Sequence, residues 1–281
     1  MLVVRTRSEL AQALASLREG GRSIGLVPTM GFLHEGHLSL VDAALARADS
    51  AVASIFVNPL QFGPSEDLAS YPRDEARDLA LLGERGAALV FVPSVGEMYP
   101  GGDPAVTVSP GSLGGRLCGA FRPGHFAGVL TVVAKLLGLF RPDVAVFGRK
   151  DFQQAALIRR MVTDLELRVR IETAPIVREH DGLAMSSRNS YLNAAERSQA
   201  PAIHRGLEES KRRWREGEHE VEPLLRAVRD RIAREPLMEL QYVEAVDPRS
   251  LDPVEEAEPG TVLAVAAYCG STRLIDNVEL A

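Results

Sequence analysis

Two histidines three positions apart, His34 and His37, stand where an apolar run ends and a helical pattern begins. A helix over 34–48 would place both imidazoles on one face of its first turn. That end of a helix presents unpaired N–H groups and a positive dipole, which attract phosphate. Two imidazoles there can stabilise charge that builds on a leaving group or donate a proton to it. The pair therefore indicates chemistry on a nucleotide phosphate.

The same spacing also fits a zinc site or two surface histidines. A zinc site needs at least a third protein ligand. The chain has six histidines and two cysteines, Cys118 and Cys269, which are too far apart to form a Cys-x-x-Cys motif. This composition disfavours a metal centre and predicts two reduced thiols.

Length and composition predict a cytoplasmic protein of two domains. The chain has 281 residues, of which 46% are hydrophobic and 25% charged, and a net charge of −6. Because proteins that bind nucleic acid are usually basic, the acidic balance argues against such a partner. No apolar run reaches membrane-spanning length, and Arg5 interrupts the N-terminus too early for a signal peptide.

Strand-like and helix-like runs alternate through the first 176 residues, which predicts a doubly wound parallel sheet. Strands are predicted at 2–5, 23–27, 51–57, 88–92, 144–147 and 169–173, with helices at 8–18, 34–48, 73–84, 126–140 and 153–165. Residues 177–281 predict a smaller α+β domain. It would contain helices at 194–215 and 221–234 and strands at 240–246, 261–268 and 272–279.

Three polar segments follow predicted strands, at 29–37, 58–63 and 148–151. In open parallel sheets, ligands bind beyond the carboxyl ends of the strands, where the strand order reverses. We therefore expect these segments to surround one cleft.

Lys150 lies in one of these segments, and only three of the 32 cationic residues are lysines. A compact ammonium suits a close phosphate contact, although a strand–helix turn with an exposed charge would give the same pattern. The Ser186-Ser187-Arg188 segment could close over a triphosphate or form a capped polar turn.

The neutral amides Asn58 and Gln61 could bind a hydroxyl or carboxylate, or could cap turns. One of Gln153 and Gln154 should face the cleft. Residues 116–125 could form its wall, and His125 is interpreted as structural.

Six motifs together resemble the pantothenate synthetase family, the ATP-dependent pantoate–β-alanine ligases of the nucleotidylyltransferase superfamily. They span residues 28–189 in order. The motifs are Pro-Thr-Met-Gly-Phe-Leu-His-Glu-Gly-His (28–37), Phe-Val-Asn-Pro-Leu-Gln-Phe (56–62), Tyr-Pro-Arg-Asp (71–74), Arg-Pro-Gly-His-Phe-Ala-Gly-Val (122–129), Phe-Gly-Arg-Lys-Asp-Phe-Gln-Gln (147–154) and Asp-Gly-Leu-Ala-Met-Ser-Ser-Arg-Asn (181–189).

The resemblance implies a Rossmann-like fold, with His34-Glu35-Gly36-His37 similar to the superfamily's His-x-Gly-His signature. It also implies binding sites for ATP and pantoate. Pantoate would be held by Gln61 and Gln154, with Asn58 nearby, and Gln61 would also lie near β-alanine. The implied ATP contacts are Thr29, Met30, Gly31, His34, His37, Gly148, Arg149, Lys150, Asp151, Val177, Met185, Ser186, Ser187 and Arg188.

The resemblance further implies a two-step reaction through pantoyl adenylate. His37 would donate a proton, and His34, Lys150, Ser186 and Arg188 would complete the catalytic set. Mg²⁺ would be held mainly by the triphosphate, with Asp78 as a possible protein contact. A homodimer is also implied, with no nucleic-acid or membrane partner.

Two positions depart from the family pattern, because Cys118 and Arg149 stand where glutamates are expected. Both changes remove negative charge near the expected cleft. Two other interpretations stay open. One is a nucleotidylyltransferase that transfers AMP to a phosphorylated acceptor, and the other is a nucleotide-binding module without catalytic activity. A relative of the RNA-charging enzymes is disfavoured by the pI of about 5.6.

Overall fold

The computed structural model describes residues 1–64 and 66–281 and divides into two compact units. Unit 1 comprises residues 1–115, 119–149 and 157–175, and unit 2 comprises residues 116–118, 150–156 and 176–281. The main break falls one residue before the predicted boundary. The two short segments of unit 2 come from the middle of the first predicted domain, and linear composition does not reveal that grouping.

Unit 1 is built on a six-stranded parallel sheet with the order β1-β4-β3-β2-β5-β6. This confirms the predicted doubly wound architecture. β2 and β3 are buried along nearly their whole length, as expected for strands covered on both faces. The strands are β1 (Leu2–Val4), β2 (Ile24–Thr29), β3 (Ser50–Ile55), β4 (Leu89–Phe91), β5 (Val144–Gly148) and β6 (Arg170–Ala174).

In the described part of the chain, seven helices accompany these strands, and the last of them, like the short α5, is divided between the two units. Short 3₁₀ turns occupy Pro59–Gln61 and Gly111–Gly115. The helices are α1 (Arg7–Leu17), α2 (Glu35–Leu45), α3 (Glu75–Glu84), α4 (Val95–Met98), α5 (Cys118–Phe121), α6 (His125–Phe140) and α7 (Phe152–Asp164).

Helix starts differ from the sequence predictions where side-chain caps decide them. α1 is capped by Thr6, not by Ser8, because the Thr6 hydroxyl accepts from the Glu9 N–H and the Glu9 carboxylate accepts from the Thr6 N–H. α2 begins at Glu35 with His34 as its N-cap, and it ends at Leu45, three residues before the predicted end.

Close packing fixes α2 against the middle of the sheet. A Cβ added at Gly25 on β2 would lie 3.0 Å from the Cβ of Ala44 and 3.2 Å from its carbonyl oxygen. Glycine therefore lets the α2 backbone approach the strand closely. The interface is filled by buried aliphatic side chains that include Val27, Val41 and Val146. This packing holds the first turn of α2 at a defined place beyond the end of β2.

Unit 2 combines three helices with an antiparallel sheet of order β7-β8-β9. The predicted helix 194–215 is two helices, because Pro201 has no N–H to continue the first one. The elements are 3₁₀ turns Arg149–Asp151 (which begins in unit 1) and Ser187–Tyr191, α8 (Ala194–Gln199), α9 (Ala202–Arg215), α10 (Val221–Ile232), β7 (Met238–Val246), β8 (Val262–Cys269) and β9 (Thr272–Glu279).

The core of unit 2 lies between α9, α10 and the sheet, and it includes Leu207, Leu224, Val228 and Leu263. Across residues 1–64 and 66–281, no helix has the length and apolar character needed to cross a membrane.

Candidate functional site

The strand order of unit 1 reverses between β2 and β5. From β2 the chain proceeds to β3 and β4 on one side, whereas β5 and β6 lie on the other. The segments that leave the carboxyl ends of β2 and β5 therefore begin at the place where doubly wound sheets bind ligands. Residues 29–37 follow β2, and Gly148 ends β5.

The two histidines of the first segment lie against each other at the start of α2, with ring centroids 4.1 Å apart. His34 Nδ1 accepts from the Gly36 N–H at 3.1 Å, and His37 Nδ1 accepts from the His34 N–H at 3.3 Å. Since both rings use Nδ1 as an acceptor, their neutral forms carry the proton on Nε2. The pair caps the helix and offers N–H donors at the same place.

The turn between β2 and α2 is held by Asp78 of α3. Its Oδ2 accepts from the Phe32 N–H and its Oδ1 from the Leu33 N–H, both at 2.7 Å. The backbone there is left-handed, with φ of 86° at Gly31 and 49° at Phe32. Two charge-assisted hydrogen bonds thus fix an unusual turn directly before the histidines.

This arrangement changes the predicted role of Asp78. Its side chain is 1% exposed, and both oxygens bind backbone N–H groups instead of facing a ligand. Burial raises the pKa of Asp78, while the hydrogen bonds from Leu33 and Phe32 oppose that rise. We therefore interpret Asp78 as a positioning residue and not as a magnesium ligand.

Asn58 and Gln61 form a buried amide pair in the segment after β3. Asn58 Nδ2 donates to Gln61 Oε1 and to the Gly128 carbonyl, each at 3.2 Å. Its Oδ1 accepts from the Tyr99 hydroxyl at 2.9 Å. Asn58 is 1% exposed, so we interpret it as a positioning residue, and its predicted substrate contact stays a prediction. Gln61 Nε2 donates to the Met30 sulfur at 3.0 Å, which links it to the segment after β2.

A second hydrogen-bond network, which the sequence did not predict, holds the backbone carbonyl of Gln61. His125 Nδ1 lies 2.8 Å from the Gln61 carbonyl oxygen, and its Nε2 lies 2.9 Å from an Arg122 guanidinium nitrogen. Because arginine can only donate, Nε2 accepts and Nδ1–H donates to Gln61. Arg122 in turn binds both carboxylate oxygens of Glu66. His125 thus makes internal hydrogen bonds, and its structural role stays a prediction.

Thr29 also has an internal role. Its hydroxyl donates to the Ser54 carbonyl at 2.8 Å and accepts from the Gly31 N–H at 3.3 Å. Thr29 is buried, and its hydroxyl ties the end of β2 to β3. Thr29 therefore supports the turn, and its predicted ATP contact stays a prediction.

At the end of β5, Gly148 and Arg149 belong to unit 1 and are partly buried. Burial lowers the pKa of Arg149, and the nearby Arg159 charge lowers it further. The 3₁₀ turn that begins at Arg149 runs without a break into α7, so Asp151 lies inside a continuous helical segment.

Unit 2 contains the other predicted ATP and pantoate residues. The Lys150 carbonyl accepts from Asn277 Nδ2 at 3.0 Å. Gln153 is buried and donates to the Arg116 carbonyl at 2.7 Å, which gives its amide an internal role. Gln154 is more exposed and remains the candidate for a substrate contact on α7.

The Met185–Arg188 segment of unit 2 follows a short hairpin. The Met185 N–H donates to the Val177 carbonyl at 3.0 Å, which places these two predicted ATP contacts side by side. Ser186 caps the following 3₁₀ turn, because its Oγ accepts from the Arg188 N–H. Ser187 is buried, whereas Met185, Ser186 and Arg188 are partly exposed.

Cys118, one of the two departures from the family pattern, lies in the interior of unit 2. Its sulfur is 3.1 Å from the Tyr242 hydroxyl and 3.4 Å from an Arg273 guanidinium nitrogen. A glutamate is expected at this position, so the replacement removes a negative charge from the neighbourhood of Arg273.

In the part of the chain that the structure describes, no three histidine, cysteine, aspartate or glutamate side chains form a group that could hold a metal ion. What remains in unit 1 is a pair of N–H donors and a preorganised amide, a set suited to binding a phosphate and a small polar acid.

Comparison with known proteins identifies the same family over the whole chain. The family model described as "Pantoate-beta-alanine ligase" matches residues 2–279. Pantothenate synthetase 1 of Bradyrhizobium diazoefficiens is 52% identical over 281 residues, which cover 100% of this chain and 98% of that protein. A pantothenate synthetase of Thermoanaerobacter sp. is 50% identical and covers 99% of this chain and 98% of its own.

Solved structures give the same result. Pantothenate synthetase from Thermus thermophilus has a TM-score of 0.94 and 46% identity, with 100% of this chain and 99% of that chain covered. The pantoate–β-alanine ligase of Francisella tularensis, solved with beta-gamma ATP and β-alanine, has a TM-score of 0.82 and 31% identity, covering 100% and 98%.

Proposed function

The chain belongs to the pantoate–β-alanine ligase family and is a ligase of pantothenate biosynthesis, and from this premise we propose that it acts through an enzyme-bound pantoyl adenylate. ATP would be the activating substrate, and AMP and pyrophosphate the products. The observation that carries the proposal is the His34–His37 pair, whose rings lie 4.1 Å apart at the N-terminus of α2 beyond the switch point of the sheet.

In the first step, a pantoate carboxylate oxygen attacks the α-phosphorus of ATP. The bond between that phosphorus and the α–β bridging oxygen breaks, and pyrophosphate leaves. Negative charge builds on the departing pyrophosphate, where the N–H donors of His34 and His37 and the helix dipole stabilise it. His37 is proposed to direct its Nε2–H at this leaving group as a hydrogen-bond donor. Transfer of that proton requires the imidazolium form, in which Nδ1 no longer accepts from the His34 N–H.

In the second step, the neutral amine of β-alanine attacks the acyl carbon of the adenylate. The bond between that carbon and the phosphate oxygen breaks, AMP leaves with the electron pair, and the amine loses a proton as the amide forms. Gln61 is suited to hold pantoate through both steps, because Asn58, Met30 and the His125 network fix its position. Neutral amides bind a polyol acid without adding a charge that would trap it.

Residues of unit 2 are proposed to act on the phosphates. Lys150, Ser186 and Arg188 supply an ammonium, a hydroxyl and a guanidinium, which are donors that suit a triphosphate. Gln154 is the proposed second pantoate contact. Mg²⁺ is proposed to enter with ATP and to be held by phosphate oxygens, since the described residues form no cluster of three ligands. A cytoplasmic homodimer is proposed from the family resemblance alone.

Product analysis tests the proposed function. The purified protein is incubated with ATP, Mg²⁺ and pantoate, with and without β-alanine, and adenine nucleotides, pyrophosphate and pantothenate are quantified. We expect equal amounts of AMP, pyrophosphate and pantothenate in the complete mixture. Release of ADP and phosphate would indicate an acyl phosphate and contradict the proposal. Transfer of AMP to a phosphorylated acceptor would favour the nucleotidylyltransferase alternative.

A further inference from the structure

β9 carries two adjacent polar side chains that are almost fully buried. Asp276 is 4% exposed and Asn277 is 3% exposed. Successive side chains of a strand point to opposite faces, so the two residues reach different neighbours. Buried polar groups cost stability unless they form hydrogen bonds. The partners of Asp276 and Asn277 therefore indicate what the two side chains do.

Asp276 holds the hairpin that leads into Met185–Arg188. Its two oxygens accept from both terminal nitrogens of Arg178, at 2.6 and 3.0 Å, and Arg178 also donates to the Gly182 carbonyl at 3.0 Å. The side chain of Arg178 is 21% exposed, so this bidentate pair is largely shielded from water. It closes the hairpin from 178 to 184, whose backbone bridge continues into the Val177–Met185 contact.

Asn277 holds a different segment. Its Nδ2 donates to the Lys150 carbonyl at 3.0 Å, and its own N–H donates to Asp276 Oδ1 at 2.8 Å. The two residues are thus coupled to each other as well as to their separate neighbours. One dipeptide of β9 anchors the backbone of Lys150 and, through Arg178, the hairpin before Met185–Arg188.

We propose that Asp276 and Asn277 are positioning residues for ATP binding, and that they set the relative placement of two phosphate-binding segments of unit 2. The inference rests on the proposed function, which identifies those segments as phosphate-binding. A buried ion pair is often no more stabilising than an apolar pair of similar size. The polar cluster does what an apolar pair could not, because its side chains donate to the backbone carbonyls of Gly182 and Lys150.

The test compares steady-state constants of full-length variants. Asp276→Asn removes the charge of the pair with little change in shape, and Asn277→Ala removes the donor to Lys150. Asp247→Asn is the control for the same change of charge elsewhere in unit 2, because Asp247 accepts from two backbone N–H groups in the turn after β7. A lower folded fraction reduces kcat and leaves KM unchanged, so KM separates positioning from a loss of stability.

For Asp276→Asn and Asn277→Ala we expect KM for ATP to rise about 10- to 100-fold, the range for a displaced binding group. KM for β-alanine, whose proposed neighbour Gln61 belongs to unit 1, should change less than about twofold. Arg178→Gln combined with Asp276→Asn should raise KM for ATP no further than either change alone. Unchanged KM for ATP in both variants, or a matching rise in Asp247→Asn, would overturn the inference.

Calorimetric binding of β,γ-methylene ATP separates this inference from the proposed function. If the wild-type protein binds the analogue but makes no pantothenate, the proposed function fails. Weaker binding by Asp276→Asn and Asn277→Ala, with Asp247→Asn unaffected, would still support the positioning role. Equal affinity in all four proteins, or no binding by the wild type, contradicts it.

Discussion

At the residue scale, His37 has two roles, and its substitution by alanine would remove both at once. Its Nδ1 accepts from the His34 N–H in a capping box, and its Nε2 is the proposed proton donor. The capping role was not apparent from sequence, which favoured a purely chemical function at the helix start. A glutamine at this position of a capping box can accept the same N–H bond, so His37→Gln separates the two roles.

We expect His37→Ala to lower kcat by about 10²–10⁴-fold, the range for loss of a general acid or charge stabiliser. Loss of the cap should also lower the free energy of unfolding by about 1 kcal/mol. His37→Gln should lose the same catalytic factor while retaining most of that stability. Steady-state kinetics and thermal unfolding measure the two effects. Near-normal turnover by His37→Gln would reassign the histidine to structure.

The motifs selected candidate site residues, but they did not show which internal contacts each residue makes. His34 and His37 were predictable because a short-range pattern brings them together. The roles of Asn58 and Asp78 were not, because their partners are remote in sequence: Tyr99 binds Asn58, and Asp78 binds the backbone at 32–33. An amide or carboxylate has the same sequence signal whether it faces a ligand or a buried N–H.

At the element scale, the turn from β2 to α2 depends on α3 through Asp78. Asp78→Asn replaces one acceptor oxygen with an NH₂ group that faces a backbone N–H. We expect a loss of about 1–3 kcal/mol in the free energy of unfolding, the cost of leaving a buried N–H unsatisfied. The Mg²⁺ concentration for half-maximal activity should not change, because Asp78 positions the turn and does not bind the metal.

Chemical unfolding and a Mg²⁺ titration of activity measure these two quantities. Asp74→Asn is the matched control, since Asp74 caps α3 and asparagine is an equally good cap. It should be nearly neutral in both assays. A stable Asp78→Asn protein that needs far more Mg²⁺ would show that Asp78 is a metal contact after all.

The hairpin of unit 2 is packed against α9 at His204. A Cβ added at Gly182, where φ is 93°, would lie 2.1 Å from His204 Cδ2, so only glycine fits against this ring. Burial lowers the pKa of His204, and the Arg178 charge lowers it further, whereas Asp276 and Glu208 raise it. His204 Nδ1 is buried with no hydrogen-bond partner among the described residues.

Because the pKa of His204 is depressed, we predict that the free energy of unfolding decreases in acid. Below pH 6.5, the ordinary value for histidine, the unfolded chain binds a proton that the folded state resists, so unfolding becomes more favourable as pH falls. Above that value the effect disappears. Thermal unfolding from pH 7.5 to 5.5 should therefore show a flatter curve for His204→Gln than for the wild type. His180→Gln is the control, because it removes an exposed imidazole from the hairpin that packs against His204. If the His180→Gln curve is as flat as the His204→Gln curve, the prediction is contradicted.

Element types were largely predictable, because long apolar runs and helical spacing reflect burial against the sheet. Element ends were less so, since side-chain caps at Thr6 and His34 and the break at Pro201 decided them. The short helices Val95–Met98 and Cys118–Phe121 have too few residues to produce a periodic pattern.

At the scale of the whole molecule, the division into two units was visible as a change of pattern near residue 176. The membership of 116–118 and 150–156 in unit 2 was not, because it depends on contacts such as Asn277 with Lys150. Arg149 and Lys150 are therefore assigned to different units, although they are adjacent in sequence.

The central claim is that pantoate is activated as an adenylate before β-alanine reacts. Exchange of labelled pyrophosphate into ATP measures this step directly, because only reversal of adenylate formation returns the label to ATP. We predict exchange that requires pantoate, proceeds without β-alanine and falls by about 10²–10⁴-fold in His37→Gln. No exchange with pantoate alone, in a protein that forms pantothenate when β-alanine is added, would contradict a separate adenylate intermediate.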